Sequence, residues 1–450
     1  MNGGIWLDRE GRGSPTGRKG LENPPLRGRI STMLRRHLQH LVERSLADFP
    51  VVLITGARQV GKSTLAQALI TPDWQATYLT LDDRTVLDAA LTDPEAFLAA
   101  NPTPLVIDEV QRAPDLLRAL KRRVDRERKN GQFLLTGSAN LMTLRTVSES
   151  LAGRVALHPL FPFSWAERTG RGVPSFPGDL FEAEGARALL KRLPGRRQPG
   201  AELPDAILRG GYPPPSLMRS AASRRRWFDS YRQTYLERDL RDLANIQYLT
   251  DFGRLLVLAA VRTGQMVNVA AFSRELGLPQ TTVKRYLDLL ALTYQVSIVP
   301  AYHTNVGLRL VKTPKLYVTD TGLGCHLSGV RDWGTLERQG RAGALLETWV
   351  ANELAKWIAC QEDDYRLYFW RTHTGQEVDF LLARGEEMVA LEVKMTSRVE
   401  GGDLAGIALC ERALGKRIRL SVVLYRGNQV IGLGPRRLAV PIETAFLGSV

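Results

Sequence analysis

An α/β architecture is what this 450-residue sequence predicts: a mostly parallel sheet with helices on both faces. Three observations carry the expectation. Short unbroken apolar runs recur at 51–55, 76–82, 104–108, 132–137 and 154–159. Helix-periodic stretches such as "DLLRALKRRVDRER" lie between most of them. Continuous rather than alternating apolar strands are the mark of a sheet covered on both sides. The first run also ends on a glycine, with Gly61-Lys62-Ser63 and good helix formers just after it, which is a strand, a tight loop and a helix start.

Taken in order, residues 1–32 are dominated by Gly, Pro, Arg and Ser without periodicity, and predict a disordered tail. Leu34, Leu38, Leu41 and Leu46 follow near helical spacing. The first domain is placed at 33–168. Residues 169–245 read as a helical lid and linker, including the charged periodic stretch "RRRWFDSYRQTYLERDLRDL". Over 246–335 the order is helix, short helix "NVAAFSREL", turn "GLPQ", helix "TTVKRYLDLLALT", strand "VSIVPAY" and return strand "PKLYVTD". That is the order of a winged helix-turn-helix. Thr281, Thr282, Lys284 and Arg285 open its second helix, where base or phosphate contacts are made; such modules also serve as protein contacts or spacers. The last region, 336–450, runs helix, "YRLYFWRT", "QEVDFLLA", "MVALEVKM", helix and "RLSVVLY".

Composition narrows the function classes. A net charge of +14 favours a polyanionic partner, with DNA foremost. No apolar run approaches the ~18 residues needed to span a bilayer, so no membrane role is expected. The N-terminus lacks an apolar secretion signal, and the three scattered cysteines, Cys325, Cys360 and Cys410, have no metal-ligand spacing. Both point to a reducing cytoplasm.

The chemistry begins at Gly56-Ala57-Arg58-Gln59-Val60-Gly61-Lys62-Ser63-Thr64. Glycines at the first and sixth positions let backbone N–H groups face phosphates; Lys62 is placed to reach the β and γ phosphates, and the Ser63 hydroxyl to ligate Mg²⁺. The strand ending Asp108-Glu109 supplies a second carboxylate for Mg²⁺ and a group to polarise water. Ser138 or Asn140, after the strand "FLLTG", would bond the γ-phosphate or the water. Arg154 would reach the γ-phosphate of a neighbouring copy in a homo-oligomer, a permanently charged bidentate donor being suited to that task. Both are equally readable as structural.

"FPVVLITGARQVGKSTL", "LVIDEVQRAPDLLRALKRRVD", "FLLTGSANLM", "SLAGRVALHPLFPFSWAE" and "RGGYP" together resemble a prokaryotic family of AAA+-type P-loop ATPases with a C-terminal domain of unknown function. The resemblance runs from Met33 to about Met395. It implies ATP binding and hydrolysis through Gly56, Gly61, Lys62, Ser63, Asp108 and Glu109, with ATP and Mg²⁺ as cofactors.

The C-terminal region carries a second constellation. In "MVALEVKM", Ala390, Glu392 and Lys394 share one strand face. A hairpin at "ARGEE" would set Asp379 opposite Glu392, and a divalent metal between them would turn repulsion into binding. Glu347, from the preceding helix, would join them as a ligand, and Lys394 would position a hydroxide. This order resembles the PD-(D/E)xK nuclease fold. The expectation is therefore an ATPase acting on DNA through a winged helix and a nuclease-like domain. The rival is an ATP-switched signalling or scaffold protein whose nuclease fold is inactive.

Overall fold

The computed structural model describes residues 34–137, 153–193, 202–234, 249–303 and 312–447. The expected tail over 1–32 lies outside that set. Five strands, β1 (Val51–Thr55), β2 (Thr77–Thr80), β3 (Leu105–Asp108), β4 (Phe133–Gly137) and β5 (Val155–Pro159), form an all-parallel sheet in the order β2-β3-β4-β1-β5. β1, β3 and β4 are buried throughout, as their apolar runs require. The order places β1 between β4 and β5, with β3 beyond β4. The C-terminal ends of β1, β3 and β4 therefore gather at one edge, where ligands of open parallel sheets sit. Alternating side chains divide between two cores: Val52, Ile54, Val106 and Leu134 in one, Val51, Leu53, Leu105, Ile107, Phe133 and Leu135 in the other.

Helices Leu249–Val261, Val269–Leu276 and Gln280–Leu292 pack on one another beside a small antiparallel sheet. That sheet comprises β6 (Gln265–Met266), β7 (Val296–Val299) and β8 (Lys315–Val318), in the order β6-β8-β7. Phe252, Phe272, Val283 and Leu290 bury the faces between the helices, while Lys284 and Arg285 stay exposed. Asn268 caps the middle helix by accepting from the Ala271 N–H, and Gly277 ends it at a positive φ of 70°.

A separate mixed sheet of six strands closes the chain: β9 (Tyr365–Arg371), β10 (Glu377–Arg384), β11 (Glu387–Lys394), β12 (Ile418–Tyr425), β13 (Ile431–Gly434) and β14 (Arg437–Pro441). Its order is β13-β14-β12-β11-β10-β9. The "ARGEE" hairpin forms, with Gly385 at φ 60° and Phe380 paired to Leu391. Helix Ala342–Ile358 covers one face and helix Ala405–Leu414 the other.

The region expected as lid and linker, 169–245, divides between two cores. Tyr212, Phe228 and Tyr231 join the core that holds Val52 and Ile54 of the parallel sheet, whereas helices Phe176–Glu182, Ala186–Arg192 and Glu202–Arg209 do not. Phe176, Leu180, Phe181, Leu189, Leu203 and Ile207 bury into the core of the C-terminal sheet instead. Helix Phe176–Glu182 lies on β11 and β12, and Ala186–Arg192 on β13. Their apolar periodicity required a partner surface, and the larger apolar face of the six-stranded sheet supplies it.

Candidate functional site

The loop between β1 and helix Lys62–Ala68 has the conformation its sequence requires. Gly56 has φ 148°, and a Cβ there would lie 2.2 Å from the Leu160 carbonyl oxygen. Gly61 caps the helix at φ 96°, so side chains at either position would be strained. Gln59 takes φ 63° without that freedom. Lys62 is only 4% exposed; its Nζ donates to the carbonyls of Gly56 at 3.1 Å and Ala57 at 3.0 Å. The ammonium thus lies folded into the loop where phosphate oxygens would replace those carbonyls.

The loop is held from behind by a residue that motif reading passed over. Arg36 Nη1 donates to the Val60 carbonyl at 2.7 Å, Nη2 to the Phe161 carbonyl at 2.6 Å, and Nε to Glu167 Oε1 at 3.0 Å. Glu167 also accepts from the His37 and Ser164 N–H groups at 2.7 and 2.8 Å. Burial pushes the Glu167 carboxyl up, but Arg36, His37 and those N–H groups outweigh it and hold it below the usual range.

Across the sheet edge, Ser63 Oγ donates to Asp108 Oδ1 at 3.0 Å. Thr136 also donates to Asp108 Oδ1, and Tyr78 donates to Oδ2 at 2.8 Å. Burial, then the Asp108 bond, raises the Tyr78 phenol to about 12. Asp108 and Ser63 thereby present two hard oxygen donors side by side, a donor set that suits Mg²⁺ carrying its own waters. Glu109 sits at φ 59°, its N–H bonded to Thr136 Oγ1 at 3.0 Å, and its carboxylate accepts from Gln111. A non-glycine residue in that conformation is held there by its surroundings, and such positions cluster at functional sites.

Ser138 and Asn140 lie outside the described residues. Arg154 precedes β5 at the edge of the sheet opposite the loop, because Val155 pairs with Val51 and Pro159 with Thr55. It bonds Asp125 at 2.5 Å. A role toward its own chain's phosphates is thereby excluded.

The family comparisons agree with this geometry. Residues 48–169 match a family model described as AAA domain. Residues 200–333 and 342–445 match two domains of unknown function, DUF8612 and DUF4143. "Uncharacterized protein Rv2008c" of Mycobacterium tuberculosis and "Uncharacterized protein Mb2031c" of Mycobacterium bovis are each 34% identical over 92% of this chain and 86% of their own length. The chain belongs to their family. Its nucleotide domain is that of an AAA-type ATPase. Among solved structures, the Walker-type ATPase PABY2304 of Pyrococcus abyssi aligns at TM-score 0.41 and 15% identity, covering 66% of this chain and 97% of that one. A STAND protein from Pyrococcus horikoshii, PH0952, aligns at 0.24 and 13%, covering 74% and 48%. No described helix is long and apolar enough to cross a membrane.

In the C-terminal sheet of this family member, Asp379 and Glu392 each lie one residue beyond the last β10–β11 pair, Phe380 with Leu391, and Asp379 Oδ2 accepts from the Val393 N–H at 2.8 Å. Lys394 Nζ pairs with Glu392 Oε1 at 3.0 Å and Asp403 at 3.7 Å. Burial, then Glu347 and Glu392, holds the Asp379 carboxyl well above its usual range. Burial raises Glu392 too, against the pull of Lys394.

Glu347 behaves differently. Its Oε1 accepts from Lys315 Nζ at 2.8 Å and from the Tyr317 hydroxyl at 2.6 Å, both on β8. Its helix packs with Val389 and Leu391, whereas Met388 and Ala390 belong to the core on the other face, and alternation puts Glu392 and Lys394 with them. Among the described residues no group of three or more His, Cys, Asp or Glu side chains is gathered closely enough to hold a metal ion. Glu347, Asp379 and Glu392, expected as ligands of one ion, are thus not gathered round one point among the described residues. A strand-period reading sees the two acids on the hairpin but not the lysine brought from 32 residues upstream of Glu347.

Proposed function

We propose that this AAA-type ATPase acts on DNA, with hydrolysis at the loop changing the disposition of the winged-helix-like module over 249–318. One contact carries the reading. The Thr55 hydroxyl, on the last residue of β1 before the loop, lies 2.6 Å from the hydroxyl of Tyr294, two residues past the helix Gln280–Leu292. Phe161 packs edge-on against the same tyrosine at 6.2 Å between ring centres. A phosphate-driven shift of the loop is thus delivered to the helix that exposes Lys284 and Arg285.

At the loop, Lys62 would exchange the Gly56 and Ala57 carbonyls for β- and γ-phosphate oxygens. Ser63 and Asp108 would hold Mg²⁺, which supplies charge neutralisation on the phosphates. Glu109 would orient the attacking water, its backbone fixed by Thr136. Arg154 is a candidate for contact with a neighbouring copy, where it would have to exchange Asp125 for phosphate.

The C-terminal sheet is read as nuclease-like in its order of helix, hairpin and Glu-Val-Lys. The Lys315–Glu347–Tyr317 contacts favour the second reading for that domain, a retained fold without metal-dependent cleavage. DNA binding is tested by fluorescence anisotropy with a labelled duplex. Binding should weaken as log salt rises, linearly in log affinity, and Lys284→Ala/Arg285→Ala should reduce both affinity and slope. Unchanged affinity and slope in the double variant would remove the module as the docking element.

A further inference from the structure

Four carboxylates of the C-terminal domain, Glu347, Glu377, Asp379 and Glu392, lie near enough to feel one another's charge, Asp379 that of Glu347 and Glu392, and Glu392 that of Glu377, without being gathered as ligands round one point. A nuclease-like site would neutralise them with divalent ions. In this chain the charge is met from inside. Lys315 is 3% exposed, and its Nζ lies 2.8 Å from Glu347 Oε1 and 3.4 Å from Glu377 Oε1. The Phe369 ring lies 5.6 Å from the same ammonium. Tyr317, two residues on and therefore on the same face of β8, is fully buried and gives its proton to the same Glu347 oxygen. Glu377 is in turn bound by Arg371 at 2.9 Å.

A buried ammonium is stable only where paired, and pulling it away would strand a carboxylate in apolar surroundings. The arrangement is therefore a built ion pair rather than a surface accident. The acids left over fit the same account. Asp379 is satisfied on one oxygen by the Val393 N–H, while Glu392 Oε2, in a residue only 8% exposed, is buried with no hydrogen-bond partner among the described residues. One acid, Glu392, thus keeps an unpartnered oxygen, while Glu347 is spoken for.

We propose that Lys315 is the resident cation among these acids, taking Glu347 out of the ligand set and excluding a divalent metal, so that the β8 sheet and the C-terminal sheet are joined by an internal ion pair where a nuclease would hold its metal. The proposal deepens the second reading of the C-terminal domain and is independent of DNA binding and of ATP turnover.

The test uses Mn²⁺ alone, without nucleotide or DNA, on the full chain. Thermal midpoints are followed against Mn²⁺ concentration for wild type, Asp379→Asn, Lys315→Met and Lys315→Met/Asp379→Asn. Any Mn²⁺ held by Ser63 and Asp108 is common to all four and cancels. Wild type and Asp379→Asn should respond identically. Lys315→Met keeps the side chain's length but frees Glu347; it should unfold at lower temperature without metal and recover with Mn²⁺, binding it at least tenfold more tightly than wild type. That gain should vanish in the double variant. A Mn²⁺ stabilisation already present in wild type and lost in Asp379→Asn would overturn the proposal. So would a folded Lys315→Met that gains no Mn²⁺ response. If Lys315→Met does not fold, the comparison of wild type with Asp379→Asn decides alone.

Discussion

Replacing Arg36 by Met removes the guanidinium while keeping most of its apolar stem. Three bonds go at once, to Glu167, Val60 and Phe161. The two carbonyls lose about 1 kcal/mol each at most, because loop rearrangement lets water replace the donor. The larger effect is on Glu167, whose carboxylate is left buried with only its backbone N–H partners; breaking such a pair costs about 3–5 kcal/mol. The expected loss is therefore about 4 kcal/mol, a large share of the roughly 5–15 kcal/mol that folded domains possess. Glu167→Gln should cost less, and the double variant should be at least about 1 kcal/mol more stable than the sum of the single losses allows, because its members share one interaction. The assay is urea unfolding of the four proteins, with ATP affinity measured on the same samples. Since Arg36 grips the Val60 carbonyl inside the phosphate loop, ATP binding should weaken by about tenfold in Arg36→Met, some 1.4 kcal/mol. Strict additivity of the two substitutions, with ATP affinity unchanged, would refute Arg36 as the support of the loop. The pH sign follows from the depressed Glu167 carboxyl. Its contribution is fully present above the unfolded value near ~4.3 and is lost as pH falls through the lower folded value.

Other outcomes are expected. Lys62→Ala should weaken ATP binding, whereas Glu109→Gln should leave ATP bound but unhydrolysed, and equal turnover in Glu109→Gln and wild type would remove Glu109 from catalysis. Tyr294→Phe deletes only the hydroxyl facing Thr55; basal ATP turnover should persist while any effect of DNA on it falls, and an undiminished effect would place the coupling elsewhere. His158 is lowered to about 4 by burial, its Nε2 against the Ser45 hydroxyl. The unfolded chain therefore binds the extra proton between about pH 6.5 and 4, and stability should fall by about 3 kcal/mol as pH drops through that window. His158→Gln should flatten that limb in urea titrations at several pH values, and an unaltered limb would assign it to another group.

What could be read from the sequence follows from which interactions are local. The parallel strands were legible because burial on both faces leaves uninterrupted apolar runs, and the phosphate loop because backbone geometry demands glycine at Gly56 and Gly61. The β10–β11 hairpin and the neighbourhood of Asp379 and Glu392 followed from strand period alone. Arg36, Tyr78, Thr136, Tyr294, Lys315 and Tyr317 were not legible. Each is an ordinary residue that acquires its role from an element far away in the chain, as Arg36 does from Glu167, 131 residues on. The division of the 169–245 region between two cores has the same origin. An amphipathic period in Phe176–Glu182 states that one face is covered, not which of two sheets covers it. The acids of the C-terminal domain show the converse: Asp379 and Glu392 lie on the hairpin as expected, but Glu347 is bound by Lys315 and Tyr317 from β8.

The central claim is that ATP hydrolysis at the Gly56–Ser63 loop is coupled to DNA held by the module over 249–318. Phosphate release is measured at saturating ATP and Mg²⁺, with and without duplex DNA, for wild type and Lys62→Ala. Wild type should turn ATP over, DNA should raise the rate severalfold at low salt, and Lys62→Ala should be inactive in both conditions. A wild-type rate equal to that of Lys62→Ala, or one indifferent to DNA at every salt concentration, would contradict the account.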